Sequence, residues 1–195
     1  MEVKLDTSLL TDKEVVQSII DGKREDFEIL VNRYYRQITA YLGRLLNFNE
    51  GDVQDVLQET FINTFVNLVT YNPSLSFSSW LYRIAHNLAI DLIRKKSKYY
   101  IIDTNDQAVQ SQIHHNETII QKSDQDHESI ISNERLTSIL QRLDLDSRTI
   151  LTLFYLQGLS LSEIADIFKT SSNTIAARLK RSKEKAKKII DKLKL

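Results

Sequence analysis

The sequence contains no cysteine, one proline and only four glycines among its 195 residues. The lack of cysteine excludes disulfides, thiolate zinc sites and cysteine nucleophiles, and it fits a reducing compartment. Proline and glycine build the frequent turns of β-sheet proteins, so their scarcity favours helices. No apolar run approaches the roughly 18 residues of a membrane span, and the N-terminus carries acidic residues where a signal peptide has an apolar segment. We therefore expect an all-α protein with no membrane insertion.

Neither sign of charge is in excess, because 26 Lys and Arg balance 26 Asp and Glu. The distribution is uneven, however. Residues 99–133 carry one lysine against six acidic residues, whereas residues 134–195 carry 13 basic and 7 acidic ones. The middle segment has no helical period beyond residue 102 and reads as a flexible acidic linker, with a weakly amphipathic helix as the alternative. We predict two small helical domains, 1–97 and 134–195, joined by a linker over 98–133.

Apolar spacing and capping residues predict four helices in each domain. In the N-terminal domain they are a short helix between the Thr11 capping box and Gly22, then helices over 24–46, 50–69 and 77–97, with a loop over 71–77 around Pro73. In the C-terminal domain they are a short helix near 136–143, one capped by Asp144 or Asp146 that ends at Gly158, and helices over 161–168 and 172–193. A second capping box, from Ser160 to Glu163, opens the helix over 161–168.

The last two helices, separated by three residues, have the arrangement of a helix-turn-helix. Such a motif inserts its second helix into the major groove of DNA, N-terminus first. The N-terminal tip of this helix offers hydroxyl and amide groups, and cations follow on the faces turned away from Ile175 and Leu179. These groups suit phosphates and base edges. The candidate contacts are Ser172, Asn173, Thr174, Arg178, Lys180, Arg181 and Lys183.

With these motifs assembled, the chain resembles the bacterial sigma-70 family of RNA polymerase sigma factors, of the small extracytoplasmic-function (ECF) type. Residues 24–97 are similar to the family's region 2 and residues 134–190 to its region 4, and regions 1.1 and 3 of larger members have no counterpart. The resemblance rests on the segments DVLQETF (55–61), FSSWLYRIAHN (77–87), GLSLSEIA (158–165) and TIAARLKR (174–181).

The resemblance implies that region 4 binds the −35 duplex and that region 2 opens the −10 element and holds a flipped base. Ala176 and Ala177 stand where relatives often have a basic or hydroxyl pair, and Lys180 stands where some have an aromatic residue. Methyl groups at this position suit a thymine methyl, so the −35 preference of relatives does not transfer. The −10 candidates are Tyr71, Asn72, Ser74, Phe77, Arg83, Asn87, Asp91 and Arg94. Trp80 falls on the apolar stripe and is expected in the core. Tyr34, Tyr35 and Tyr41 are also expected there.

The resemblance also implies the partners. Region 2 would dock on the clamp helices of the largest catalytic subunit of core RNA polymerase, and region 4 on the flap of the second-largest subunit. Asp52, Asp55, Gln58 and Glu59 form an acidic and polar helix face that suits a basic partner. Promoter DNA is the other partner, and an anti-sigma factor is common in the family. A non-catalytic, cytoplasmic protein without cofactor or small-molecule substrate follows.

Two other interpretations use the same motifs. In the first, the helix-turn-helix belongs to a transcription regulator, and residues 1–97 form an effector or dimerisation domain. In the second, the chain binds polymerase but recognises no promoter, which the Ala176–Ala177 pair would allow. The four histidines show no metal-ligand spacing. The sequence contains neither a G-x-S-x-G turn nor a phosphate-binding glycine loop, so no motif of this kind indicates an enzyme.

Overall fold

The computed structural model of the chain describes residues 10–103 and 135–193, and these residues form helices and connecting turns only. The N-terminal part contains four α-helices, with a 3-10 turn before the second and another after the third. The α-helices are α1 (Asp12–Ile20), α2 (Phe27–Leu45), α3 (Glu50–Val66) and α4 (Phe77–Asp103). The 3-10 turns span Arg24–Asp26 and Leu68–Thr70. All-α architecture is therefore confirmed.

The C-terminal part begins with a helix over residues 135–141, named α5. Three further helices follow: α6 (Leu145–Leu151), α7 (Leu161–Phe168) and α8 (Ser172–Leu193). The chain continues from α6 into a π-helical stretch, Thr152–Leu156, which periodicity did not predict. Between α7 and α8 the backbone of Lys169 is left-handed, with φ of 50°, and this turn ends α7 after two helical turns. The predicted helix-turn-helix boundaries are thus confirmed.

Side-chain caps define the beginnings of these helices as the sequence predicted. Thr11 and Ser160 each form a complete capping box, with Glu14 and Glu163 respectively. Each box satisfies two amides that have no backbone carbonyl partner within the helix. Asp144, and not Asp146, caps α6 by accepting a hydrogen bond from the Ser147 amide at 3.0 Å.

The end of α4 and the environment of Tyr35 differ from expectation. Helix α4 runs six residues past its predicted end at 97, because residues 98–103 contain neither proline nor glycine to stop it. Trp80 is buried in the core, as predicted, whereas Tyr35, expected in the core, lies exposed on α2. The part of the predicted linker from 104 to 133 lies outside the described residues.

One apolar cluster spans both helical parts, and a second, smaller one lies within the C-terminal part. Leu153, Leu159 and Ile164 of the C-terminal part belong to the same buried cluster as Ile38 and Leu81 of the N-terminal part. Helix α7 packs on α4, and α6 packs on α2. The arrangement is therefore closed, with the first helix of the helix-turn-helix seated against the longest helix of the N-terminal domain.

Candidate nucleic-acid interface

The N-terminal tip of α8 presents polar groups to solvent. Ile175 and Leu179 are buried beneath the helix, and this anchoring leaves the opposite side free. Ser171 caps the helix, since its Oγ accepts from the Thr174 amide at 3.2 Å. Ser172 and Asn173 are exposed, and Thr174 is half-buried. The predicted tip residues thus lie together at one accessible end.

The cations of α8 follow on this exposed side, but they differ in their surroundings. Lys180 and Arg181 are exposed. Lys183 is exposed too, and its Nζ lies 5.6 Å from the ring centroid of Tyr155. Arg178 is more constrained, because its Nη1 lies 3.5 Å from Asp146 and its guanidinium carbon 5.9 Å from the Phe168 ring centroid. Only Arg178 thus meets both a carboxylate and an aromatic face.

The alanine pair of α8 lies between these polar groups. Ala177 is exposed and Ala176 is half-buried. Their methyl groups therefore form a small apolar surface between the hydroxyl groups at the tip and the cations further along α8. A methyl contact with thymine is available at this place, and a bidentate guanine contact is not.

A groove with a volume of about 260 Å³ runs between the start of α6 and the middle of α8. Its lining residues are Asp146, Ser147, Arg178, Arg181, Ser182 and Lys185. Lys185 donates to the carboxylate of Asp144 at 2.7 Å. Partial burial raises the pKa of Asp144, but hydrogen bonds from Lys185 and Ser147 outweigh this effect and hold that pKa at about 2. The carboxylate therefore stays charged beside the groove at neutral pH.

The second candidate surface lies on α4. Asn87, Asp91 and Arg94 are exposed on neighbouring turns, and Arg83 is half-buried one turn earlier. Arg94 and Asp91 form a loose ion pair at 3.7 Å, with both side chains largely in solvent. An amide and two guanidinium groups on one exposed face can contact bases and phosphates.

The loop ahead of α4 divides the remaining −10 candidates into two groups. Asn72 and Ser74 are exposed, and the Asn72 side chain accepts from the Ser74 amide at 2.9 Å and from its hydroxyl at 2.8 Å. Tyr71 and Phe77 are instead buried and pack edge-to-face with centroids 5.6 Å apart. These two rings support the loop from below in this closed arrangement, while Asn72 and Ser74 form its accessible surface.

The predicted polymerase-docking residues lie on α3. Asp55, Gln58 and Glu59 are exposed on one face. Asp52 differs, because Lys96 of α4 donates to its Oδ1 at 2.6 Å and its side chain is only 19% exposed. Asp52 therefore joins α3 to α4, and the free acidic face consists of Asp55 and Glu59.

Contacts between the two domains were not found by sequence reasoning. Tyr82 of α4 donates to the Gln157 side chain at 2.7 Å, and Ser78 donates to Glu163 at 3.3 Å. The buried guanidinium of Arg148 donates to the Asn47 side chain at 2.6 Å. These residues are 75 to 101 positions apart in the chain, so no local pattern could pair them.

His86, one turn beyond Tyr82, lies at the same contact. Its Nδ1 is 3.0 Å from the Tyr41 hydroxyl, and its ring is centred 5.0 Å from that of Phe168. Burial lowers the pKa of His86 to about 4, because the charged imidazolium would lose its hydration there. The ring is neutral at physiological pH and packs as part of the domain contact.

Within residues 10–103 and 135–193, no helix is long and apolar enough to cross a membrane. The same residues contain no cluster of three His, Asp or Glu side chains placed to hold a metal ion. His114, His115 and His127 lie outside the described residues.

Both helical parts of the chain match known protein families. Residues 30–99 match the family described as Sigma-70 region 2, and residues 133–185 match Sigma-70, region 4. The ECF RNA polymerase sigma factor SigW of Bacillus subtilis is 31% identical over 179 residues, covering 90% of this chain and 95% of SigW. The ECF RNA polymerase sigma-E factor of Escherichia coli K12 is also 31% identical, with coverage of 90% and 92%. CnrH, solved with the cytosolic domain of CnrY, shares the fold at a TM-score of 0.67 and 24% identity, over 92% of this chain and 97% of CnrH.

A helix-turn-helix domain joined to a second helical domain with its own polar and basic helix face defines a transcription factor. More specifically, the chain belongs to the ECF group of the sigma-70 family. It is a sigma factor that directs promoter-specific transcription initiation by RNA polymerase, and it is a non-catalytic subunit of that enzyme. The match of residues 30–99 assigns the N-terminal domain to region 2, which sets aside the regulator with an effector domain.

Proposed function

We propose that this sigma factor divides its work among three helices. Helix α3 docks on the clamp helices of core RNA polymerase through Asp55, Gln58 and Glu59. Helix α4 and the loop before it open and read the −10 element, and α8 reads the −35 duplex. The proposal is carried by one observation: two separate exposed helix faces, on α4 and α8, combine amide or hydroxyl groups with cations. Two such faces match the two promoter elements.

At the −10 element, the exposed residues Asn72, Ser74, Asn87 and Arg94 make the first contacts with the non-template strand. An unstacked base costs a few kcal/mol, and contacts in the protein must repay this cost. Tyr71 and Phe77 are buried, so they take part by supporting the loop from the core.

The closed arrangement must open for both elements to be bound at once. The −10 and −35 elements are about 25 base pairs apart, or roughly 85 Å of duplex. Asn87 is adjacent to His86, whose ring lies 5.0 Å from that of Phe168. The four residues that follow Phe168, up to Ser172, span at most about 14 Å. We infer that polymerase separates the domains when it binds them at the clamp and the flap.

The cytoplasm, where RNA polymerase works, is the proposed location. An anti-sigma factor is a further proposed partner, since the sigma factor RpoE of Bartonella quintana, which shares the fold, was solved with the anti-sigma factor NepR. Such a partner would restrain the chain by keeping the domains from opening on polymerase.

Run-off transcription tests the proposal. Core RNA polymerase is reconstituted with the full chain and given a promoter library, and we expect specific starts that core alone does not produce. Asn87→Ala should reduce open-complex formation, measured by permanganate reactivity of thymines, without reducing core binding. Binding to core without specific starts would favour the alternative in which the chain occupies polymerase but recognises no promoter. Absence of core binding would overturn the proposal.

A further inference from the structure

We propose that Asp146 occupies the place of a DNA phosphate on Arg178 and thereby weakens the grip of the free protein on duplex DNA. The proposal rests on the proposed role of α8 in −35 binding and names a residue outside that set. Asp146 belongs to α6, and Arg178 belongs to α8. The competition is thus built between two helices of the same domain.

The geometry puts the carboxylate where a phosphate would arrive. Asp146 Oδ1 lies 3.5 Å from Arg178 Nη1, and both side chains line the groove that Arg181 and Lys185 also line. A phosphate oxygen that approaches these three cations meets the carboxylate of Asp146. The phosphate and the Asp146 carboxylate are both negative and repel each other at such close range. DNA can therefore bind here only if Arg178 leaves Asp146 or contacts both anions at once.

A second contact stabilises the arrangement in which Arg178 pairs with Asp146. The guanidinium carbon of Arg178 lies 5.9 Å from the ring centroid of Phe168, and the ring of His86 on α4 lies 5.0 Å from the same centroid. The domain contact therefore orders the ring on which Arg178 rests. In the closed protein Arg178 contacts both the Asp146 carboxylate and the face of the Phe168 ring. Both contacts favour the position of Arg178 beside Asp146 over a position on DNA.

The exposure of the pair favours competition over rigid support. The side chain of Asp146 is 54% exposed and that of Arg178 is 36% exposed, and they share one long contact rather than a bidentate pair. An exposed pair of this kind is weak and breaks readily. A carboxylate that aimed Arg178 at DNA would be expected to hold it by two short hydrogen bonds.

The salt dependence of binding separates competition from other effects. A cation that neutralises a phosphate releases counterions, and each neutralised phosphate adds about 0.9 to the slope of log K against log salt. Arg178 next to Asp146 brings a pair with no net charge, so it contributes less than a full phosphate equivalent. Removal of the carboxylate charge should restore the missing part of that slope.

The experiment measures fluorescence anisotropy of the full chain with a labelled duplex of mixed sequence across a salt series. Asp146→Asn keeps the size of the side chain and removes its charge. We expect duplex affinity to rise about two- to fivefold, the range of an exposed ion pair. We also expect the salt slope to become steeper by up to about 0.9. Asp191→Asn, an equal charge change at an exposed site near the other end of α8, is the matched control.

A double-mutant cycle with Arg178→Ala completes the test. If Asp146 acts through Arg178, the gain from Asp146→Asn in the Arg178→Ala background will fall to the gain that the Asp191→Asn control gives in both backgrounds. Weaker binding by Asp146→Asn would mean that Asp146 supports Arg178, and this would overturn the proposal. An equal gain in both backgrounds, or no gain at all, would overturn it too.

Failure of this inference is distinguishable from failure of the proposed function. If Arg178→Ala weakens binding and Asp146→Asn changes nothing, the proposed competition is wrong and the −35 role of α8 stands. If Arg178→Ala has no effect, both the competition and the DNA contact assigned to Arg178 are wrong. Run-off transcription still reports promoter-specific initiation in either case.

Discussion

Arg148 donates a 2.6 Å hydrogen bond to the side-chain oxygen of Asn47, and this bond joins the two domains. The same guanidinium donates to the backbone oxygens of Leu140 and Gln141 at 2.9 and 3.0 Å, which lie at the end of α5. Asn47 has a left-handed backbone with φ of 54°, a conformation that asparagine tolerates better than most residues. One buried cation therefore satisfies the end of a helix and anchors the turn after α2.

Arg148→Ala is expected to destabilise the closed protein by roughly 2–3 kcal/mol, because it leaves buried carbonyl oxygens without a donor. Urea unfolding monitored by circular dichroism measures the change. Arg142→Ala, at an exposed site directly after α5, is the control and should change the free energy of unfolding by less than about 0.5 kcal/mol. Equal stability of the two variants would contradict the role given to Arg148.

Asn47→Gly separates the domain bond from the backbone requirement. Glycine adopts a positive φ freely, so this variant removes only the side-chain acceptor. We expect a loss of about 1–2 kcal/mol, smaller than that of Arg148→Ala, since a hydrogen bond to a charged group is lost but the α5 carbonyls keep their donor. A loss as large as that of Arg148→Ala would mean that the domain bond dominates the stability of this cluster.

Arg181→Ala is expected to weaken binding to duplex DNA and to reduce the salt slope by about 0.9, because one phosphate contact disappears. Arg178→Ala should act in the same direction. Anisotropy titrations over a salt series measure both quantities. Arg142→Ala, which lies outside α8, should leave the slope unchanged. An unaltered slope in both α8 variants would reject the assignment of phosphate contacts to this helix.

Charge reversal on α3 tests the docking face. Asp55→Lys combined with Glu59→Lys should lower affinity for core RNA polymerase, since both carboxylates are exposed and unlike charges attract across an interface. Pull-down with core enzyme in the absence of DNA measures the change, and circular dichroism checks folding. Glu25→Lys with Glu28→Lys adds the same charge at exposed positions near the start of α2. Equal core binding by the two double variants would count against the α3 face.

His86 makes the stability of the protein depend on pH. Burial lowers its pKa to about 4 in the folded state, against an ordinary value of 6.5. Between these values the unfolded chain binds more protons, so the free energy of unfolding rises with pH through this window. Stability should be full above about pH 6.5 and fall as pH drops towards 4, by at most about 1.4 kcal/mol per pH unit.

His86→Gln provides the test of this pH effect, because glutamine keeps a polar group near Tyr41 without titrating. Urea unfolding of both proteins at several pH values gives the difference, and shared carboxylate effects cancel. We expect the difference between the two proteins to change with pH only in the window from about 4 to 6.5. A constant difference would show that His86 titrates alike in the folded and unfolded chains.

Much of the local structure could be predicted because its causes lie within a few residues of sequence. The capping boxes of Thr11 and Ser160 each involve residues three positions apart, and both formed as predicted. The turn after α7 and the apolar positions Ile175 and Leu179 defined the exposed side of α8 in the same way. The π-helical stretch over Thr152–Leu156 left no such mark in the sequence.

In the candidate sites, too, features set by local sequence were predicted and features set by distant helices were not. The accessibility of Asn87 and Arg181 followed from helical periodicity. The burial of Tyr71 and Phe77 did not, because each ring is covered by others from α2 and α4, at 5.5 Å from Trp80 and 5.6 Å from Tyr34 respectively. Likewise, the sequence predicted Asp52 as part of an acidic face, and only the structure showed that Lys96 of α4 pairs with it.

The sequence by itself determined the helices, their caps, the exposed polar side of the helix-turn-helix and the kinship with ECF sigma factors, because these depend on short-range spacing and residue type. Only the tertiary structure decided that α7 lies against α4, that Arg148 reaches Asn47, and that Asp146 stands beside Arg178. Such pairs form where packing of distant helices brings charges and carbonyl groups within a few ångströms, and no local pattern encodes that meeting.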